Sequence, residues 1–140
     1  MDAGNAERDW ESLANRLQTW GRELGFEAIG VSDVDLADEE VRLLNWLDAG
    51  RHGEMDYMAR HGVARARPAE LVPGTLRVIT ARLNYWPTAA KPARDVLADS
   101  QLAYVARYAL SRDYHKVLRS RLAILARRIE GDVGPFGYRV

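Results

Sequence analysis

The sequence predicts an α/β fold, with α+β as the variant, in which a mixed sheet is flanked by helices and the C-terminal part is cut short. Three observations carry this. Apolar residues recur at helical spacing near both ends of the chain, β-branched and aromatic runs lie between them, and the last residues, FGYRV, open a strand that nothing closes.

Taken in order, Trp10, Leu13, Leu17, Trp20 and Leu24 step along one face of an amphipathic helix, and Gly25 is placed to end it. FEAIGVSDVD then alternates in the manner of a short strand, Phe26, Ala28 and Gly30 against Glu27, Ile29 and Val31. A second helix begins near Asp38 with Val41, Leu44 and Leu47 on one side and Gly50 near its end. Residues 51–74 are rich in breakers and charge, which predicts an ordered surface segment with one or two helical turns, one of them AELV between Pro68 and Pro73.

LRVITARLNYW has the content of a buried strand at the centre of a sheet, stopped by Pro87. The polar connection from Pro87 to Ser100 is of a length associated with function or mobility. QLAYVARYAL reads as a strand or extended segment. Asp113 is an N-cap, after which Val117, Leu118, Leu122, Leu125 and Ile129 trace the inner face of a long helix ended by Gly131.

Composition excludes several function classes. The 140 residues carry twenty basic and twenty acidic side chains, so no whole-molecule field draws nucleic acid or anionic membrane, and any attraction is local. With no cysteine there is no disulfide, thiolate metal site, iron–sulfur ligation or thiol nucleophile within this chain. The N-terminus, MDAGNAERDWESL, is acidic and polar where a signal peptide is basic and then apolar, and no run approaches the ~18 apolar residues of a membrane span. A soluble, cytoplasmic protein is expected.

The common catalytic motifs are silent: neither phosphate-binding loop, dinucleotide fingerprint nor serine-hydrolase elbow occurs. His52 and Glu54 reproduce the H-x-E fragment of zinc deaminases, but the cysteine pair that chemistry needs is absent. His52, Asp56 and His61 lack recognised metal-site spacing, and loop histidines are usually solvated. Arg60, His61, Arg65 and Arg67 fit either a solvated loop or capture of phosphate and carboxylate groups by guanidinium forks. The junction RYALSRDYHKVLR is equally open. Asp113 capping the helix, Tyr114 packing inward, and Lys116 and Arg119 exposed would account for it structurally. Its rival is convergence of Arg107, Tyr108, Asp113, Tyr114 and His115 at a helix N-terminus, where free backbone N–H groups meet ligand atoms.

Three stretches bear on that choice: HGEMDYMARH at 52–61, RARPAELVPGTLRVI at 65–79 and YVARYALSRDYHKVLR at 104–119. In this order and spacing they closely resemble the N-terminal region of the epoxyqueuosine reductase family. The resemblance runs from about Leu24 to Val140. Its members use cobalamin and two [4Fe-4S] clusters to reduce epoxyqueuosine to queuosine in the anticodon loop of tRNA, the last step of queuosine biosynthesis.

The resemblance implies that Ala106, Arg107, Tyr108, Asp113, Tyr114 and His115 line or support the cobalamin and the target nucleotide, and that Arg65 reaches the same cofactor. It implies a pocket position for His115 and no cobalt–histidine bond. Lys116, Arg119, Arg121, Arg127 and Arg128 are then a basic patch for tRNA phosphate. Low-valent cobalt would reduce the epoxide-bearing ring while an aspartate, expected beyond Val140, supplies the proton. Residues 1–140 are thus expected to be the N-terminal cobalamin-domain portion, without the ferredoxin-like cluster domain and inactive alone. The partners implied are tRNA and an electron donor, with no membrane, acting on a monomer. Two other readings stay open: a stand-alone corrinoid- or RNA-binding module without redox activity, and a non-functional remnant.

Overall fold

The computed structural model describes residues 9–140. The reading of the polar N-terminus as no signal peptide falls largely on residues 1–8, outside the described residues. The described chain is mixed α/β, with six α-helices and a two-stranded antiparallel sheet. It divides into two compact units: residues 9–29 with 81–136 and 140 form one, and residues 30–80 with 137–139 form the other.

In the first unit, helix α1 (Trp10–Glu23) starts where Asp9 accepts a 2.9 Å hydrogen bond from the Ser12 N–H. It ends in a Schellman motif. Gly25 sits at φ 79°, its N–H donating to the Arg22 carbonyl at 2.9 Å, and the Phe26 N–H donates to the Gly21 carbonyl at 2.9 Å. This reversal buries Phe26 at once and leads into strand β1 (Ala28–Ser32). Gly21 is buried, and a Cβ there would run into the Ile29 side chain, so the helix can lie against that residue only while it carries none. Gln18 Nε2 donates to the Ile29 carbonyl at 2.6 Å and fixes the approach.

Helix α6 (Tyr114–Val133) packs on α1, and Leu17, Phe26, Ile29, Leu125, Ala126 and Ile129 form the buried core. Two ion pairs rim that contact, Arg16–Asp132 at 2.6 Å and Arg128–Glu23 at 2.5 Å. The helix runs through Gly131 to Gly134, the residue with the left-handed φ of 87°, because Val133 still lies on its inner stripe. The connection after Pro87 contains helix α5 (Ala93–Ala98), too short and too exposed to carry an apolar stripe legible in sequence.

The second unit holds α2 (Ala37–Asp48), α3 (Asp56–Arg60), a 3-10 turn over Gly62–Ala66 and α4 (Pro68–Leu71). Residues 51–74 are therefore more helical than the one or two turns expected. Helix α2 packs on the 3-10 turn, where Ala66 is buried; Leu43, Leu44, Trp46 and Leu47 are its half-buried apolar residues, whereas Val41 is exposed.

Strand β2 (Val78–Arg82) pairs with β1, and the two carry the chain out of the first unit and back. The Glu27 N–H donates to the Arg82 carbonyl at 2.8 Å, and the Thr80 hydroxyl meets the Gly30 carbonyl at 3.5 Å. Expected at the centre of a sheet, β2 has one strand neighbour among the described residues and is only half-buried. Residues 103–106 carry no regular structure, Arg107–Ala109 close into a 3-10 turn, and residues 134–140 are irregular, so neither QLAYVARYAL nor FGYRV forms a strand here.

Leu125, 2% exposed, tests the core directly. Leu125→Ala is expected to cost about 2–5 kcal/mol in urea unfolding. Gly21→Ala, which adds one carbon facing Ile29, is expected to cost about 1–3 kcal/mol. A Gly21→Ala protein as stable as the parent would mean that this approach is not the constraint described.

Candidate functional site

In the first unit the junction singled out in the sequence is an assembled cluster. Asp113 caps α6, its carboxylate accepting from the His115 N–H at 3.0 Å. The same oxygen lies 3.1 Å from His115 Nδ1. An ionised carboxylate can only accept, so in this contact Nδ1 carries the proton and a neutral ring presents Nε2 outward as an acceptor. His115 also stacks on Tyr114, ring centroids 4.0 Å apart, and Tyr114 meets Tyr108 edge-on at 6.1 Å.

Tyr114 does not pack inward: it is 41% exposed and Tyr108 is 55% exposed. Their orientation is set by one another and by the cap. Ala106, just before the 3-10 turn that carries Tyr108, is exposed.

Arg107 is held differently. Its guanidinium lies over the Trp86 ring, 4.4 Å from the centroid, while Nη2 donates to the Lys91 carbonyl at 2.9 Å. Sequence reasoning missed Trp86, which closes a strand-like run; the available signal was an aromatic pair, Tyr85–Trp86, placed directly before a proline. Arg107 also helps line a groove of about 250 Å³ with Lys91, Val96, Leu102, Val105 and Leu110, a mainly apolar surface.

The basic residues of α6 separate into two sets. Arg128 is paired with Glu23, and Arg121 reaches over Gly25. Lys116, Arg119 and Arg127 are exposed and make no ion pair among the described residues.

Arg65 belongs to the second unit. It donates from Nε to the Met58 carbonyl at 3.1 Å and from Nη2 to the Tyr57 carbonyl at 2.6 Å, with its guanidinium 5.8 Å from the Tyr57 ring centroid. Arg67 is engaged by Glu40 through two hydrogen bonds, 2.7 and 2.8 Å, and by Glu70 at 2.9 Å. Of the two arginines flanking Ala66, then, Arg67 is paired with two carboxylates and Arg65 is held by backbone carbonyls alone.

His52 is half-buried beside Trp46, rings 6.0 Å apart, with its Nδ1 buried and unbonded. No group of three His, Asp or Glu side chains among the described residues could hold a metal ion, so His52, Asp56 and His61 do not make one.

The Arg67 hydrogen bond holds the Glu40 carboxyl below the usual carboxylate range; burial opposes this and the Arg67 charge adds to it. A depressed folded value contributes stability that is present above the unfolded value and lost as pH falls through the folded one. Glu40→Gln is therefore expected to lower stability near neutrality and to flatten the acid limb of a stability–pH profile from urea melts. An unchanged acid limb would remove the pair from that role. Asp113→Ala is expected to cost about 1 kcal/mol through loss of the cap.

Comparison with known proteins gives a consistent result. A family model described as "Epoxyqueuosine reductase QueG, DUF1730" matches residues 65–140. A protein named epoxyqueuosine reductase from Pseudomonas aeruginosa is 60% identical over 127 residues, covering 91% of this chain and 35% of its own length. Proteins of the same name from Vibrio cholerae and Escherichia coli are 58% and 54% identical over 131 residues, each covering 94% of this chain and 35% and 34% of themselves. The chain thus spans about a third of the length of the curated relatives it matches. No solved structure matches it.

Proposed function

Since the chain belongs to the epoxyqueuosine reductase family, we propose that it forms the N-terminal, cobalamin-binding part of an oxidoreductase that reduces epoxyqueuosine to queuosine in the anticodon loop of tRNA. The observation that carries this is where the family match falls: residues 65–140 take in Arg65 and all of Ala106–His115.

The chemistry of the cluster fits a corrinoid. A macrocycle rimmed with amide arms needs apolar and aromatic surface beside fixed hydrogen-bond donors and acceptors, and Tyr108, Tyr114, Arg107 and the outward His115 Nε2 offer both. The groove beside them is smaller than the roughly 300–1,000 Å³ of a complete small-molecule pocket. These residues therefore supply part of the wall. When bound, cobalamin supplies electrons through its cobalt.

The chain's own contribution is binding and orientation. Asp113 holds the His115 N–H and lies against His115 Nδ1 through one oxygen, so its part here is to cap the helix and position the histidine. In this reading the proton comes from an aspartate beyond Val140. The two [4Fe-4S] clusters need thiolate ligands, and with no cysteine this chain contributes none. Lys116, Arg119 and Arg127, exposed on α6, are the cations best placed to meet tRNA phosphate.

The direct test supplies the complete polypeptide with cobalamin, a reductant and tRNA carrying epoxyqueuosine; conversion to queuosine is expected, and an unchanged nucleoside would reject the reading. In the same protein Arg65→Ala is expected to weaken cobalamin binding by about tenfold, the loss of one charged hydrogen-bonding group, in a spectral titration. Unchanged affinity would remove Arg65 from the cofactor site.

A further inference from the structure

We propose that the Trp86–Arg107 stack is a platform for one unpaired base of the RNA, an inference that rests on the tRNA reading above and adds to it a residue and a mode of contact. Trp86 is 61% exposed, yet its surroundings are fixed. Its backbone N–H donates to Asn84 Oδ1 at 2.8 Å, Pro87 follows it, and the Arg107 guanidinium covers one face of the ring at 4.4 Å. Arg107 is in turn tied to the Lys91 carbonyl at 2.9 Å.

One face of the indole is thus taken by a cation and the ring remains largely open to solvent. A large aromatic surface held out in this way, with its freedom already lost, is the arrangement on which single-stranded bases stack.

Charge decides what kind of molecule covers it. Although the chain is neutral, residues 85–119 hold six basic side chains, Lys91, Arg94, Arg107, Arg112, Lys116 and Arg119, against three acidic ones, Asp95, Asp99 and Asp113. Exposed aromatics interleaved with excess cations match a strand that presents flat bases and phosphates together. Tyr85, 64% exposed and adjacent, offers a second ring. An anticodon loop, with its unpaired bases, is such a ligand.

The test measures binding of a labelled synthetic anticodon stem-loop to the complete protein by fluorescence anisotropy, for the parent and for Trp86→Ala, Trp86→Leu and Trp86→Phe. Loss of one base–aromatic stack is expected to weaken binding about tenfold in the Ala and Leu proteins, with Phe within about twofold of the parent. Leucine fills space without an aromatic face, so a packing role would let it rescue as well as phenylalanine does. Equal affinity of Trp86→Ala and parent, or equal rescue by Leu and Phe, overturns the platform while leaving the tRNA reading intact. A parent protein that does not bind the stem-loop at all overturns both.

Discussion

The first unit depends on the absence of a side chain at Gly21. Helix α1 and strand β1 are joined by a reversal so short that Ile29 is set against the helix six residues after it has ended at Glu23, and there is no room for even a methyl group between them. The Schellman motif at Gly25 sets the direction of that reversal and the Gln18 bond to the Ile29 carbonyl holds it. With Phe26 and Ile29 so placed, α6 has an apolar surface on which to lay Leu125, Ala126 and Ile129. The N-terminus of α6, with its aromatic and charged cluster, is carried by that same packed helix.

Net neutrality hides a division of labour among the charges. Glu23, Glu27 and Asp132 in the first unit, and Glu40 and Glu70 in the second, are each engaged by an arginine. Exposed pairs of this kind contribute little stability individually. Their larger effect is on the potential. Acidic residues are absorbed along the α1–α6 contact and beside Arg67, while Lys91, Arg94, Arg112, Lys116 and Arg119 have no ion-pair partner among the described residues. A neutral chain thereby presents a locally positive surface.

Much of this was legible in the sequence because it follows from local rules. The heptad-like stripe of α1, Gly25 as its end, the proline-framed turn of α4 and Asp113 as the cap of α6 are all set by a few neighbouring residues. What was not legible depends on distant partners or on competition between two signals. Gly131 and Gly134 are both plausible stops, and Val133 on the inner face decides for the later one. The strand-like run at 101–110 has β propensity but no strand to pair with among the described residues, so it stays irregular and then closes into a 3-10 turn. Trp86 escaped notice because its partner, Arg107, lies far along the chain. Arg65 and Arg67 look alike in sequence, and only the positions of Glu40 and Glu70 show which of them is ion-paired.

The exposure of the aromatic residues of the first unit is not a failure of packing. Its core is aliphatic, with Phe26 the one buried aromatic side chain among the described residues. Trp86, Tyr108 and Tyr114 are instead held by contacts that leave ring surface open: a guanidinium, an edge-to-face neighbour, a stacked imidazole and a helix cap. Burial would have fixed these rings at the expense of their faces. Holding them by their edges and by one side fixes them just as well and keeps the other side available, which is the condition a site for flat ligands must meet, whether macrocycle or nucleobase. The same polar contacts that orient the rings bring in charge, so open ring faces and cations lie on one surface.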